Sequence, residues 1–128
     1  MRVVRGSAAL GRSPRRAVLT IGNFDGLHIG HRQILRTVID RARAHDGEAV
    51  VYTFDPHPRK ILQADRAPSM LTTTDQKIEL LAAAQIDLVV IEPFTAEFAK
   101  TTPERFVREH VHAHLAPVEV YVGYDFHY

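Results

Sequence analysis

Four short runs of apolar and β-branched residues, separated by stretches with helical spacing, constrain this chain most. They are AVLTIG (17–22), EAVVYTF (48–54), DLVVIEPF (87–94) and VEVYVGY (118–124). Each is short and continuous enough to be a strand buried in a parallel sheet. After the first run, Ile34, Leu35, Val38, Ile39 and Ala42 recur at helical spacing, while Arg32, Arg36, Asp40 and Arg43 take the other face. Gly47 ends that helix. DPHP (55–58) then breaks any regular element, since proline neither continues a helix nor donates to a ladder. Thr73 and Gln76 have capping-box spacing, which predicts a helix over 74–85. Thr102 and Pro103 suit the N-cap and first position of a third helix, running to about His112. Strands alternating with helices predict the α/β class: an open, Rossmann-like parallel sheet with helices on both faces. Right-handed crossovers bring all strand carboxyl ends to one edge, where such sheets bind ligands.

The chain has 128 residues, the size of one domain, and 45% of them are apolar, enough for a sizeable core. A formal charge of +1 creates no strong overall field, and no basic stripe with interleaved aromatics appears. Nucleic acid is therefore not an expected partner. No apolar run reaches the roughly 20 residues of a membrane-spanning helix, so no membrane partner is expected. The chain contains no cysteine, which excludes disulfides and thiolate metal sites and suits a cytoplasmic protein. Arg2, Arg5, Arg12, Arg15 and Arg16 stand among the first sixteen residues without an acid. That composition can resemble a transit peptide, and it reads better as a basic lead-in (1–16) to the first strand.

Three segments fall at expected strand ends: GNFDGLHIGH (22–31), FDPHP (54–58) and GYDFHY (123–128). In the first, a glycine-bearing turn lets backbone approach a ligand, and the helix that follows offers free amides and a positive dipole end. His28 and His31 are three apart at that helix start and can face one side. Two imidazoles beside those amides could hold a triphosphate and neutralise the charge that grows as pyrophosphate leaves. They could equally be polar residues on a capped helix. The glycine spacing is neither that of a dinucleotide-binding fingerprint nor that of a P-loop.

The wording H-x-G-H after a first strand resembles the nucleotidylyltransferase superfamily. TIGNFDGLHIGH, VVYTFDPHP, LTTTDQKIELL, FTAEFAKTTPERFV and VGYDF together resemble the FMN adenylyltransferase module of prokaryotic FAD synthetase, a family usually fused to a riboflavin kinase domain. The resemblance runs from about Ala17 to Tyr128. It implies transfer of AMP from ATP to FMN, giving FAD and pyrophosphate, with Mg²⁺. Gly22, Phe24 and Gly30 would bind ATP, and His28 and His31 would be catalytic. Asp55, His57 and Pro58 would line the path between the substrates. Leu62, Phe106, Asp125 and Tyr128 would lie on the flavin side, although Leu62 is aliphatic where an aromatic would stack better. No metal ligand is assigned. The family's downstream I-S-S-T-x-[IV]-R motif and its kinase domain have no counterpart in the 128 residues. The expectation is therefore a domain cut after its fourth strand, with weak or absent turnover on its own. The alternatives are a non-catalytic nucleotide- or flavin-binding remnant, or a related nucleotidylyltransferase with another phosphate substrate.

His110, His112 and His114 alternate near the end of the third helix. Only two of them share a helical face, so they read as solvated residues near the negative end of the helix dipole and not as metal ligands. The arginines of the first helix read as a solvated face.

Overall fold

A computed structural model describes residues 1–24, 29–55 and 74–122, with the backbone alone at 29–31. Its centre is an all-parallel, five-stranded sheet in the order β1-β4-β3-β2-β5. The strands are β1 (Arg2–Arg5), β2 (Val18–Ile21), β3 (Ala49–Asp55), β4 (Leu88–Pro93) and β5 (Glu119–Val122). Helix α1 (Ile29–Ala44) links β2 to β3, and α2 (Thr74–Ala83) precedes β4. Helix α3 begins as an α-helix over Pro103–Arg105, widens into π-helical turns over Phe106–His112 and closes over Ala113–Leu115.

The α/β class and the parallel sheet are as the sequence predicts, and the strand count differs. The fifth strand is β1, inside the stretch expected to be a lead-in. RVVR is too short to show a periodicity. It becomes a strand because β4 presents its edge: Arg2 N–H donates to the Asp87 carbonyl at 3.0 Å and Gly6 N–H to the Ile91 carbonyl at 2.8 Å.

Alternating side chains divide the interior into two cores. On one face, Val18, Ala49, Val51, Val89 and Ile91 pack against Leu35, Val38, Ile39 and Ala42 of α1 and Leu81 of α2. On the other, Leu19, Ile21, Val50, Tyr52, Phe54, Leu88 and Val90 pack against Phe106, Val111 and Leu115 of α3. At the β5 edge, Glu119 and Tyr121 turn towards α1, whereas Val120 and Val122 stay exposed.

The helix signals hold locally. The Thr102 hydroxyl accepts from Arg105 N–H at 3.2 Å, as an N-cap should. Helix α1 ends with Asp46 at φ 53° and a Gly47 N–H bond to the Ala42 carbonyl of 2.8 Å, the pattern of a Schellman motif. The left-handed position thus belongs to Asp46. Gly47 is needed for a different reason: a Cβ there would stand 2.1 Å from the Arg16 carbonyl oxygen. Helix α2 closes the same way, with Gln85 at φ 72°.

Candidate functional site

Chain direction across the sheet locates the site. The connections β2 to β3 and β3 to β4 run over the aliphatic face through α1 and α2, whereas β4 returns to β5 over the opposite face through α3. Strands β2 and β5 are neighbours, and the connection that leaves β2 and the one that enters β5 lie on opposite faces. That is a topological switch point, and the crevice outside its strand carboxyl ends is the ligand position of open α/β sheets. The segment after β2 is GNFDGLHIGH, and the segment after β5 is GYDFHY.

The turn after β2 is firmly built. Gly22 N–H donates to the Tyr52 carbonyl at 3.1 Å. The Phe24 ring is fully buried and folds under Gly22, where a Cβ would meet it at 2.9 Å. Phe24 itself takes φ 53°, a left-handed conformation uncommon for a residue with a Cβ. The Asn23 carbonyl accepts twice, from Lys77 Nζ at 2.6 Å and from Thr53 Oγ1 at 3.1 Å. Two polar atoms nearby, Asn23 Oδ1 and Thr20 Oγ1, are buried with no hydrogen-bond partner among the described residues.

Of the sequence-predicted site residues, Gly22 and Phe24 lie in this turn, and Gly30 and His31 occupy the first turn of α1. The side chain of His31 lies outside the described residues, as do His28, His57, Pro58, Leu62, Asp125 and Tyr128. Asp55 ends β3 at the carboxyl edge, half-exposed, 3.5 Å from Arg5 Nη1. Phe106 is buried, in edge contact with Tyr52 at a centroid distance of 5.4 Å. It belongs to a cluster with Phe54, Phe94, Phe98 and His110.

Several features have only faint sequence signals. Lys77 is 8% exposed although charged. Its position four residues before the core residue Leu81, on the inner stripe of α2, was the available clue. On the aromatic face, buried Glu92 accepts from Tyr52 Oη and from Ser7 Oγ at 3.3 Å, and His110 Nδ1 lies 3.4 Å away. His110 is therefore a member of a buried polar cluster, a correction to its reading as a solvated helix-end residue. The signal missed was its alignment with Phe106, one helical turn earlier. Among the described residues, no group of three or more His, Cys, Asp or Glu could hold a metal ion.

The arginines of helix α1 are exposed, as the sequence predicts, and two of them also bond neighbouring elements. Arg41 grips the Glu119 carboxylate, with Nη2 at 2.8 Å, and Arg43 Nη2 donates to Gln85 Oε1 at 3.0 Å. His45 Nε2 and Tyr121 Oη also bond Glu119. The Arg41 hydrogen bonds, then those of Tyr121 and His45, hold the Glu119 carboxyl down from 4.5 to about 2.

The chain matches the family model described as FAD synthetase over residues 11–128. It is 35% identical over 129 residues to the bifunctional riboflavin kinase/FMN adenylyltransferase of Escherichia coli K12, covering 100% of this chain and 41% of that protein. It is 36% identical to the FAD synthetase of Listeria monocytogenes, covering 100% of this chain and 52% of the relative. The chain thus spans about half, or less, of the length of these relatives. In structure it is similar to a chain described as a macrolide-efflux protein from Streptococcus pneumoniae, with a TM-score of 0.80 at 20% identity. The alignment covers 100% of this chain and 43% of that one, a likeness of fold. A match along nearly the whole length, with the glycine turn at the switch point of a parallel sheet, settles the kinship: the chain belongs to the FAD synthetase family.

Proposed function

We propose that this chain is an FMN adenylyltransferase module, which transfers AMP from ATP to FMN and releases pyrophosphate. The observation that carries this reading is the glycine-bearing turn at the β2–β5 switch point, in the segment between β2 and the start of α1 at Ile29. Such a turn and helix start suit the phosphates of a nucleotide. Gly22, Phe24 and Gly30 shape the backbone on the ATP side, and His28 and His31 donate to the triphosphate.

An FMN phosphate oxygen attacks the α-phosphorus of ATP, and the bond to the β-phosphate oxygen breaks. The attacking oxygen is already anionic at neutral pH, so no strong general base is required. The residues align the two phosphates and neutralise charge on the leaving pyrophosphate. Asp55, His57 and Pro58 line the path between the substrates. Leu62, Phe106, Asp125 and Tyr128 form the flavin side, with aromatic rings suited to a planar isoalloxazine. Mg²⁺ ordinarily keeps several waters and is shared with substrate phosphates, so it would arrive with ATP. A riboflavin kinase domain would accompany the module in the whole protein, which would work in the cytoplasm. A second reading is nucleotide and flavin binding with little turnover by residues 1–128 alone.

The test is FAD formation from FMN, ATP and Mg²⁺ by a full-length protein carrying this module. The double variant His28→Ala/His31→Ala is expected to lose at least about a hundredfold in kcat, as for loss of charge-stabilising donors. Undiminished turnover in that variant would remove the histidines from the mechanism. Residues 1–128 alone are expected to turn over weakly or not at all, and robust synthesis by them would rule out the binding-only reading.

A further inference from the structure

Helices α1 and α2 cover the same face of the sheet and leave a groove between them on its outer side. The groove holds about 460 Å³ along α1 and the last turns of α2. Leu35 and Ile39 of α1 form its floor, and Leu80 and Ala83 line the α2 side. Leu80 is 41% exposed there, a large apolar side chain left to water. At the helix ends, Arg43 Nη2 donates to Gln85 Oε1 at 3.0 Å and closes the groove.

The two walls differ in charge. On α1, Arg32, Arg36 and Arg43 recur on one stripe, and Asp40 is the acid among them. All four are exposed, and Arg36 has no bonded partner among the described residues. The α2 wall is neutral, with Gln85 as its polar end. From Arg32 to Arg43 the stripe rises about three turns of helix, or ~16 Å. The complementary shape is a segment of that length, apolar beneath and acidic along one flank. A small molecule fits less well, because such sites enclose most of their ligand and this groove lies open along its length. Single-stranded nucleic acid fits less well too, since no aromatic ring lines the groove for bases to stack on. A second copy meeting the first through the same groove would set arginine against arginine.

We propose that the α1–α2 groove docks an acidic amphipathic helix of a partner protein. Apolar side chains of that helix, at spacings of three and four, seat on Leu35, Ile39 and Leu80. Carboxylates on its flank meet Arg32, Arg36 and Arg43, whose planar guanidinium groups accept them in a forked geometry. The docking is independent of the nucleotide reading above.

The experiment measures fluorescence anisotropy of a labelled, stapled synthetic helix with leucines at spacings of three and four and glutamates beside them. It is titrated with the 128-residue chain, with Arg36→Glu, Leu80→Glu and Val120→Glu, all at exposed positions, and with a full-length protein carrying this module. The wild-type chain is expected to bind, more weakly as salt rises. Glutamine in place of the glutamates should weaken binding about tenfold, since several ion pairs go together. Arg36→Glu and Leu80→Glu should each weaken it about tenfold, by like-charge repulsion and by loss of the apolar seat. Arg36→Glu should also bind a lysine version of the helix more tightly than the wild type does. Val120→Glu, at the β5 edge, should change nothing. No binding by the wild-type chain overturns the proposal, as does binding indifferent to the glutamates, to Arg36→Glu or to Leu80→Glu. Loss in Val120→Glu overturns it by placing the helix at the β5 edge. Binding by residues 1–128 and not by the full-length protein overturns it by assigning the groove to another part of the same polypeptide. Self-association without peptide that Leu80→Glu abolishes and Val120→Glu retains overturns it in favour of a second copy.

Discussion

Two glutamates, one on each side of the sheet, have nearly the same partners and opposite surroundings. Glu119, on the α1 side, is bonded by a tyrosine, a histidine and Arg41, at the rim where water reaches it. Glu92, on the α3 side, is bonded by a tyrosine and a serine, with a histidine beside it, beneath a wall of aromatic rings. The first is a surface clamp that fastens the last strand to α1, with a full cation to match its charge. The second lies in the core, with no arginine or lysine bonded to it among the described residues. A carboxylate at the rim can serve stability simply, whereas one in the core is a costly group whose partners must all be present. The core on the α1 side is mainly aliphatic, and its buried charge is the cation Lys77. The two faces of one sheet should therefore answer mutation differently.

The largest effect is expected on the aliphatic face. Leu81→Ala empties a fully buried site between α2 and the sheet and should cost about 2–5 kcal/mol in urea unfolding. A smaller cost would mean that this face can collapse around the gap and is not tightly packed.

Next comes the aromatic face. Tyr52→Phe removes one donor from buried Glu92 and should cost about 1–3 kcal/mol by the same measurement. Tyr52→Phe combined with Glu92→Leu should cost less than Tyr52→Phe alone, because the carboxylate left underbonded is then gone. Additive losses would show that the polar cluster stabilises the fold outright, and the contrast between the faces would disappear.

The smallest effect concerns Glu119, whose lowered pKa fixes the sign. Its contribution is complete above the ordinary 4.5 and is lost as pH falls through about 2. The melting temperatures of wild type and Glu119→Gln should therefore differ by a constant amount above pH 4.5 and converge towards pH 2. A gap that stays constant down to pH 2 would show that the clamp does not depend on the carboxylate charge.

How much of this was legible in the sequence depends on the range of the interaction that decides it. Strands β2 to β5 and all three helices announce themselves through local period and caps, as with Thr102 ahead of Pro103. Strand β1 did not, because four residues become a strand only when β4 offers its edge. The widening of α3 over Phe106–His112 had no local signal either, since nothing in FVREHVH departs from an ordinary helical pattern. Within the site, the glycine turn was legible because glycines between a strand and a helix have few other uses. Lys77, Thr53 and Asn23 were not, because they meet only after α2 and β3 have packed. His110 was misread for the same reason: the acid beside it, Glu92, arrives from another element eighteen residues earlier.

One consequence follows from the outer side of β5. Among the described residues this strand pairs only with β2, and Val118, Val120 and Val122 beside its free edge are exposed. An unpaired strand edge with valines on its surface is a template for a further strand. Purified residues 1–128 are therefore expected to self-associate through this edge as protein concentration rises. A charged residue at position 120 or 122 is the change that would keep such a preparation clear without touching the carboxyl edge.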